Sequence, residues 1–288
     1  MSSGAPSRRA ICVSREAGCC RAVEDALTGA GLTVEHVSSI PADTRGIALV
    51  VVDRASRQEA GEALRTSAAP VVVVGDDLED DALIALMLEG PVSHLIGDPR
   101  DPDLGITSEK LASGDLFGLE KYVASGARVG ERIVRTAADK RRAMDEVCAW
   151  AESVGARAPT VHRLAGVVDE LLMNALGPPD AAAGPAVLRW GADQRTLAIS
   201  VADRSGKLRQ RDVIDHVRRA RHDRGRPNPA SEGGAGLGLY LVLANVAALV
   251  VNVVPGERTE VVCLFDLARG SRPSVRQVRS LHVFATSA

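Results

Sequence analysis

Short apolar runs alternate with helical stretches along residues 10–99. The runs fall at 10–13, 32–37, 47–52, 70–74 and 92–96, and helix-period stretches lie at 21–30, 56–66 and 78–89. Residues 47–52 and 71–74 are solidly apolar, as expected of strands buried on both faces. Strands alternating with helices predict a parallel, doubly wound sheet. The run Asp98-Pro99-Arg100-Asp101-Pro102-Asp103 then interrupts regular structure.

The second half reads differently. A helical pattern covers 131–154, and Pro159 opens another helix that runs to about Leu176. After Gly177-Pro178-Pro179, strand-like runs appear at 187–190 and 197–201, and a helical stretch at 212–221. Residues 222–232 are polar, with two prolines and a glycine, and read as a loop. A glycine-rich segment then leads into an apolar helix. Two strands follow at 250–254 and 260–267, with a last one at 281–284. This order predicts helices over one face of a mixed sheet, an α+β layer.

Composition narrows the classes. The chain has 288 residues, 45% apolar, enough for two domains. A net charge of −2 gives no global attraction to nucleic acid or anionic lipid, and 2% aromatic residues argue against a base-stacking surface. The five cysteines, Cys12, Cys19, Cys20, Cys148 and Cys263, form no CxxC pair or zinc spacing and read as reduced thiols. The N-terminal residues contain no apolar h-region, and a cytosolic protein is expected. Residues 233–256 carry no charge over 24 positions, which is bilayer length. Asn245, Asn252 and the β-branched 250–254 run favour a buried helix followed by a strand.

Three constellations carry candidate chemistry. Glu170 and Asn174 are four residues apart on one helix face, a carboxylate and carboxamide suited to Mg²⁺ with phosphates or to a base beside a metal ligand. An exposed surface pair is the competing reading. Asp203 ends an apolar strand before Arg204-Ser205-Gly206-Lys207 and is placed either to accept the amino proton of adenine or to start a turn. Four glycines fall within the six residues 233–238, opening the apolar helix. Such a helix start suits a phosphate, although small residues also allow close helix packing. It is not a Walker A loop, because no Gly-Lys-Ser/Thr follows, and no strand precedes it as a dinucleotide fingerprint requires.

Taken together, in this order and spacing, these elements resemble the GHKL ATP-binding superfamily, whose members include histidine-kinase catalytic domains, gyrase-type ATPases and anti-sigma-factor serine kinases. The similarity covers roughly 131–268, and Asp-Glu-Leu-Leu-Met-Asn-Ala makes it nearest to the anti-sigma-factor kinases. The resemblance implies a two-layer α+β (Bergerat-type) sandwich binding ATP and Mg²⁺. Asn174 would hold the metal, Glu170 would be the catalytic base, and Asp203 and Gly206 would form the adenine box. Gly234, Gly236, Leu237 and Gly238 would lie under the phosphates, with 221–233 as the lid. The family's Asp-x-Gly-x-Gly box is altered here, since Ser205 and Lys207 stand in the two glycine places.

Residues 10–99 resemble a response-regulator receiver, a flavodoxin-like (βα)5 domain, with Asp53 at the phospho-acceptor position. The rest of that site departs from the pattern. Ser14-Arg15 stands where an acidic pair is expected, Val74-Gly75 lacks the hydroxyl, and Ile96-Gly97-Asp98-Pro99 lacks the lysine. An Arg15–Asp53 ion pair and an inactive pseudo-receiver are therefore expected.

The expected organisation is a receiver-like domain at 1–107, a linker at 108–128, the GHKL domain at 129–270 and a tail at 271–288. The implied function is a signalling regulator that binds ATP·Mg²⁺ and phosphorylates or reversibly binds a partner protein of sigma/anti-sigma or two-component type. The alternative is a non-catalytic, nucleotide-sensing or anti-sigma-like binding module. A homodimer is compatible with either, whereas a membrane or nucleic-acid partner is not expected. Residues 207–226 hold eight basic and three acidic residues, read chiefly as a solvated helix and lid.

Overall fold

The computed structural model describes residues 8–177, 184–222, 235–267 and 279–286, with backbone alone at 220–222, 235–237 and 240. The chain is mixed α/β and divides into two compact units. The first comprises Met1–Leu116 with Arg279–His282; the second comprises Phe117–Val278 with Val283–Ala288.

In the first unit the strands are β1 (Arg9–Val13), β2 (Thr33–Val37), β3 (Leu49–Asp53), β4 (Val71–Val74) and β5 (Val92–Ile96). They pair in parallel in the order β2-β1-β3-β4-β5. The connecting helices are α1 (Ala17–Gly29), α2 (Arg54–Ala60), α3 (Glu62–Arg65) and α4 (Asp81–Glu89), followed by α5 (Asp103–Ser113). All four residues of β4 are buried, and β3 is buried apart from its terminal Asp53, as the apolar runs require. The single helix expected at 56–66 is two, because Gly61 turns the chain at φ 46°.

The expected linker at 108–128 begins inside α5, where Ser108 and Lys110 are buried. Part of the expected tail is also ordered. Ser280–Ala285 forms β11, and Ser280, Leu281 and His282 pair antiparallel with Ile96, Leu95 and His94. Around this pairing lies a polar core. His94 Nδ1 is 3.3 Å from His282 Nδ1, Thr107 is 3.5 Å from that same atom, and Ser280 donates to Asp103.

The second unit begins with a 3-10 helix at Leu119–Tyr122. Its strands are β6 (Val129–Val134), β7 (Ala186–Ala192), β8 (Thr196–Asp203), β9 (Ala248–Val254) and β10 (Arg258–Asp266). The order is β9-β10-β8-β7-β6, and every one of these pairings is antiparallel, not mixed as expected. The helices are α6 (Ala137–Ser153), α7 (Ala158–Leu176), α8 (Gln210–His222) and α9 (Ala235–Asn245). The helix expected from 131 starts at Ala137, because 129–134 is an edge strand. Thr136 and Asp139 close a reciprocal capping box that fixes the helix start.

Helix α7 packs on α6, α9, β7 and β8, and the 3-10 helix also packs on β7 and β8. Buried Glu260 accepts from the Gly118 amide and from Asn252 Nδ2, each at 3.0 Å, and so ties the start of the unit to β9 and β10. No helix among the described residues is long and apolar enough to cross a membrane. The uncharged 233–256 stretch contains α9 and β9.

Candidate functional site

The amphipathic pattern of α7 positions the first candidate residues. Val161, Leu164, Val167, Val168, Leu171 and Leu172 are buried, which leaves Glu170 half-buried and Asn174 exposed on another face. Asp169 is held by Lys140 of α6 at 2.6 Å. Among the described residues, Glu170 and Asn174 have no hydrogen-bond or ion-pair partner.

Helix α9 brings the glycine motif to Glu170. Gly238 is buried, and a Cβ built on it would overlap Glu170 Oε1 and Cδ and stand 2.8 Å from Cγ. With glycine at 238 the Glu170 side chain can lie directly against the backbone of α9; a β-carbon there would turn that side chain aside. Gly236 and Leu237 lie in the first turn of α9. Gly234 and most of the expected lid, 223–233, lie outside the described residues.

Asp203 is the last residue of β8. Its Oδ1 accepts from the Ser205 amide at 2.7 Å, closing the aspartate-led turn that the sequence allowed. Asp203 Oδ2 has no hydrogen-bond partner among the described residues. Gly206 takes φ 55°, and a Cβ on it would overlap Val254 O and stand 2.5 Å from the amides of Gly256 and Glu257. The carbonyl of Gly206 accepts from Gly256 N at 3.1 Å. The altered box therefore places its glycine at the position that needs a positive φ and a close backbone approach.

The basic stretch is partly neutralised along α8. Arg209 pairs with Asp212 at 3.0 Å, and Arg218 and Arg211 pair with Asp215 at 2.8 and 3.9 Å. The arginine beside Asp212 holds its carboxyl below the usual carboxylate range. A solvated, internally paired helix fits this pattern better than a phosphate-binding surface.

In the first unit, Asp53 ends β3 and caps α2. One oxygen accepts from Ser56 N at 2.7 Å and the other from the Ser14 hydroxyl. The expected Arg15–Asp53 pair does not form. Arg15 instead reaches Glu59 at 2.8 Å, because α2 offers a solvent-exposed carboxylate further along to a long exposed side chain.

One neighbouring group escaped the sequence reading. Arg57 is buried and contacts Asp76 Oδ2 at 2.7 Å and Asp80, while Arg54 stands 3.6 Å from Asp76 Oδ1. A guanidinium thus sits among the carboxylates beyond β3 and β4. Local periodicity carries no trace of it, since Arg57 lies in an otherwise polar helical stretch.

No protein-family model and no curated protein matches this chain.

Proposed function

We propose that the second unit is a GHKL-type nucleotide-binding module and that the chain is a signalling regulator acting on a partner protein. The observation that carries this reading is the approach of Glu170 to Gly238. It joins two motifs 68 positions apart, the helix-borne carboxylate and the glycine-rich helix start. The antiparallel sheet layered with α7 and α9, and the glycine-dependent turn after Asp203, support the same reading.

The residues present fit ATP·Mg²⁺. Asp203 Oδ2 is available to the adenine amino group. The Asn174 side chain is exposed, and its carboxamide oxygen is a hard-cation ligand type. The first turn of α9 offers backbone N–H groups to phosphate. Among the described residues Asp169 is paired with Lys140 and Glu170 has no ion-pair partner, and Glu170 would accept the proton of an attacking hydroxyl. Bound ATP would supply the phosphoryl group. The partner would be a protein of the sigma/anti-sigma or two-component kind.

The first unit we read as a flavodoxin-like pseudo-receiver. Asp53 has both oxygens engaged, by the Ser56 amide and the Ser14 hydroxyl, and the neighbouring Asp76 and Asp80 carboxylates are paired with Arg57.

A second reading, nucleotide binding without transfer, draws on the same contact. A Glu170 side chain wedged against the α9 backbone acts as a packing element and is less free to take a proton. Titration of ATP with and without Mg²⁺ tests both readings, on the wild type and on Asn174→Ala. Mg²⁺-dependent binding weakened by Asn174→Ala supports the nucleotide site, and binding in neither condition removes it. If binding is retained, single-turnover phosphoryl transfer in the wild type and in Glu170→Gln separates a kinase from a binding module.

A further inference from the structure

The cysteines of the first unit share no metal spacing in sequence, yet the fold brings two of them to a histidine. The ligand atoms of Cys12, Cys20 and His36 all lie within 4.8 Å of one another. Cys12 on β1 and His36 on β2 are direct partners in the parallel register, so their side chains leave the same face of the sheet. Helix α1 packs on both strands and brings Cys20 to that face. Cys20 Sγ also donates to Ser14 O at 3.4 Å, which fixes its rotamer. Glu24, one turn beyond Cys20, stands 3.5 Å from His36 Nε2.

We propose that Cys12, Cys20 and His36 form a binding site for a single Zn²⁺ ion. Two sulfurs and an imidazole are the donor set of a borderline-soft, tetrahedral cation. Two thiolates would cancel its charge, so a cluster with one buried member and one exposed member tolerates it. Tetrahedral Zn–S bonds of about 2.3 Å require donor atoms roughly 3.8 Å apart. The donors need close by only about 1 Å from their present spacing, within the reach of side-chain rotation. Exposed His36 and Glu24 lie on the solvent side, where the fourth ligand is Glu24 or water. The site links α1, β1 and the edge strand β2, and its consequence is a cation-tightened edge of the sheet. This inference is independent of the nucleotide reading, which concerns the other unit.

The test is titration of the reduced, full-length protein with Co²⁺ and then Zn²⁺. One equivalent of Co²⁺ should give the visible bands of tetrahedral cobalt together with sulfur-to-metal charge transfer, and Zn²⁺ should bleach both. Cys20→Ser and His36→Ala, each at a position that is not fully buried, should lose stoichiometric binding, whereas Cys19→Ala should keep it. Circular dichroism checks that the variants remain folded. A second measurement needs no variant: one equivalent of Zn²⁺ should slow alkylation of Cys20 in the wild type while leaving Cys148 unaffected. A cobalt spectrum without charge transfer, unchanged binding in folded Cys20→Ser, or equal alkylation of Cys20 with and without Zn²⁺ would overturn the proposal.

Discussion

The Glu170 side chain lies directly against the backbone of Gly238, in the space that any β-carbon at that position would fill. Sequence spacing alone puts these residues on different helices; the packing of α7 on α9 makes them neighbours.

Gly238→Ala should therefore force Glu170 out or push the helices apart. Turning a half-buried, unbranched side chain aside costs little, so it offsets part of the roughly 1 kcal/mol that alanine gains over glycine in a helix interior. Gly166, also in a helix interior, meets nothing within 4 Å, so Gly166→Ala should stabilise by up to about 1 kcal/mol. Urea unfolding should show a smaller gain for Gly238→Ala than for Gly166→Ala. Equal stabilisation by both substitutions would refute the close approach at Gly238.

Gly206→Ala carries two penalties, a positive φ and a collision with the turn at 254–257. Neither can be relieved by rotating a side chain, because the clashing atoms are backbone. A loss of about 2 kcal/mol or more in unfolding free energy is expected. Ser205→Ala keeps the amide that Asp203 accepts from, and should stay within about 0.5 kcal/mol of the wild type.

Arg57→Met leaves the fully buried Asp76 carboxylate without its closest cation. Removing one partner of a buried pair costs about 3–5 kcal/mol, mostly as an uncompensated charge. Adding Asp76→Asn should recover part of that loss. A double-mutant cycle that shows strict additivity would mean the pair is not coupled.

Acid should destabilise the first unit through its buried histidines. Burial, then the charge of Lys110, pushes His94 down to about 3, and burial pushes His282 well below its ordinary value. Between pH 6.5 and 3 the unfolded chain binds the extra protons, so this stability is present above 6.5 and is lost as pH falls. For His94 the loss at pH 5 is about 2 kcal/mol. Asp103 opposes it. Burial, then Asp101, raises its carboxyl to about 6, which favours the folded state as pH drops from 6 towards 3.8 and returns about 1 kcal/mol at pH 5. With two histidines against one aspartate, the midpoint in urea should fall from pH 7 to pH 5. His94→Gln should flatten that slope, and an unchanged slope would rule out its neutral burial.

Physical features of each segment determine how much could be read in advance. The Val-rich β3 and β4 were legible because a strand buried on both faces writes its burial as an unbroken apolar run. Pro159 marked the start of α7 because its fixed φ suits a first turn. The residues of β6 also suit a helix, since an edge strand can carry Glu131 and Arg132 on exposed positions, and only the Thr136–Asp139 box marks the true start. α5 was missed because it buries Asp103, Thr107, Ser108 and Lys110, residues that the apolar pattern counts as surface.

At the candidate site, residue types and order were legible for Glu170, Asn174, Asp203 and the glycines. The Asp203 turn and the Glu170–Gly238 contact were not, because each depends on how separate segments meet. The same holds for Arg15, whose exposed guanidinium found Glu59 and not Asp53, and for Cys12 and His36, which only strand register brings face to face.

Pairing of Ser280–His282 with β5 has a consequence for how this protein is made. Its hydrogen bonds and ring contacts span 175 to 188 residues of chain. During synthesis the first unit leaves the ribosome with one flank of β5 bare, and it stays so until residues 280–282 have been made. Loop closure over that distance places the step late in folding. In the interval Asp103 lacks the Ser280 hydroxyl and His94 lacks the His282 ring. A ribosome-released chain truncated before Arg279 would keep that open strand permanently, as a template for association with other chains.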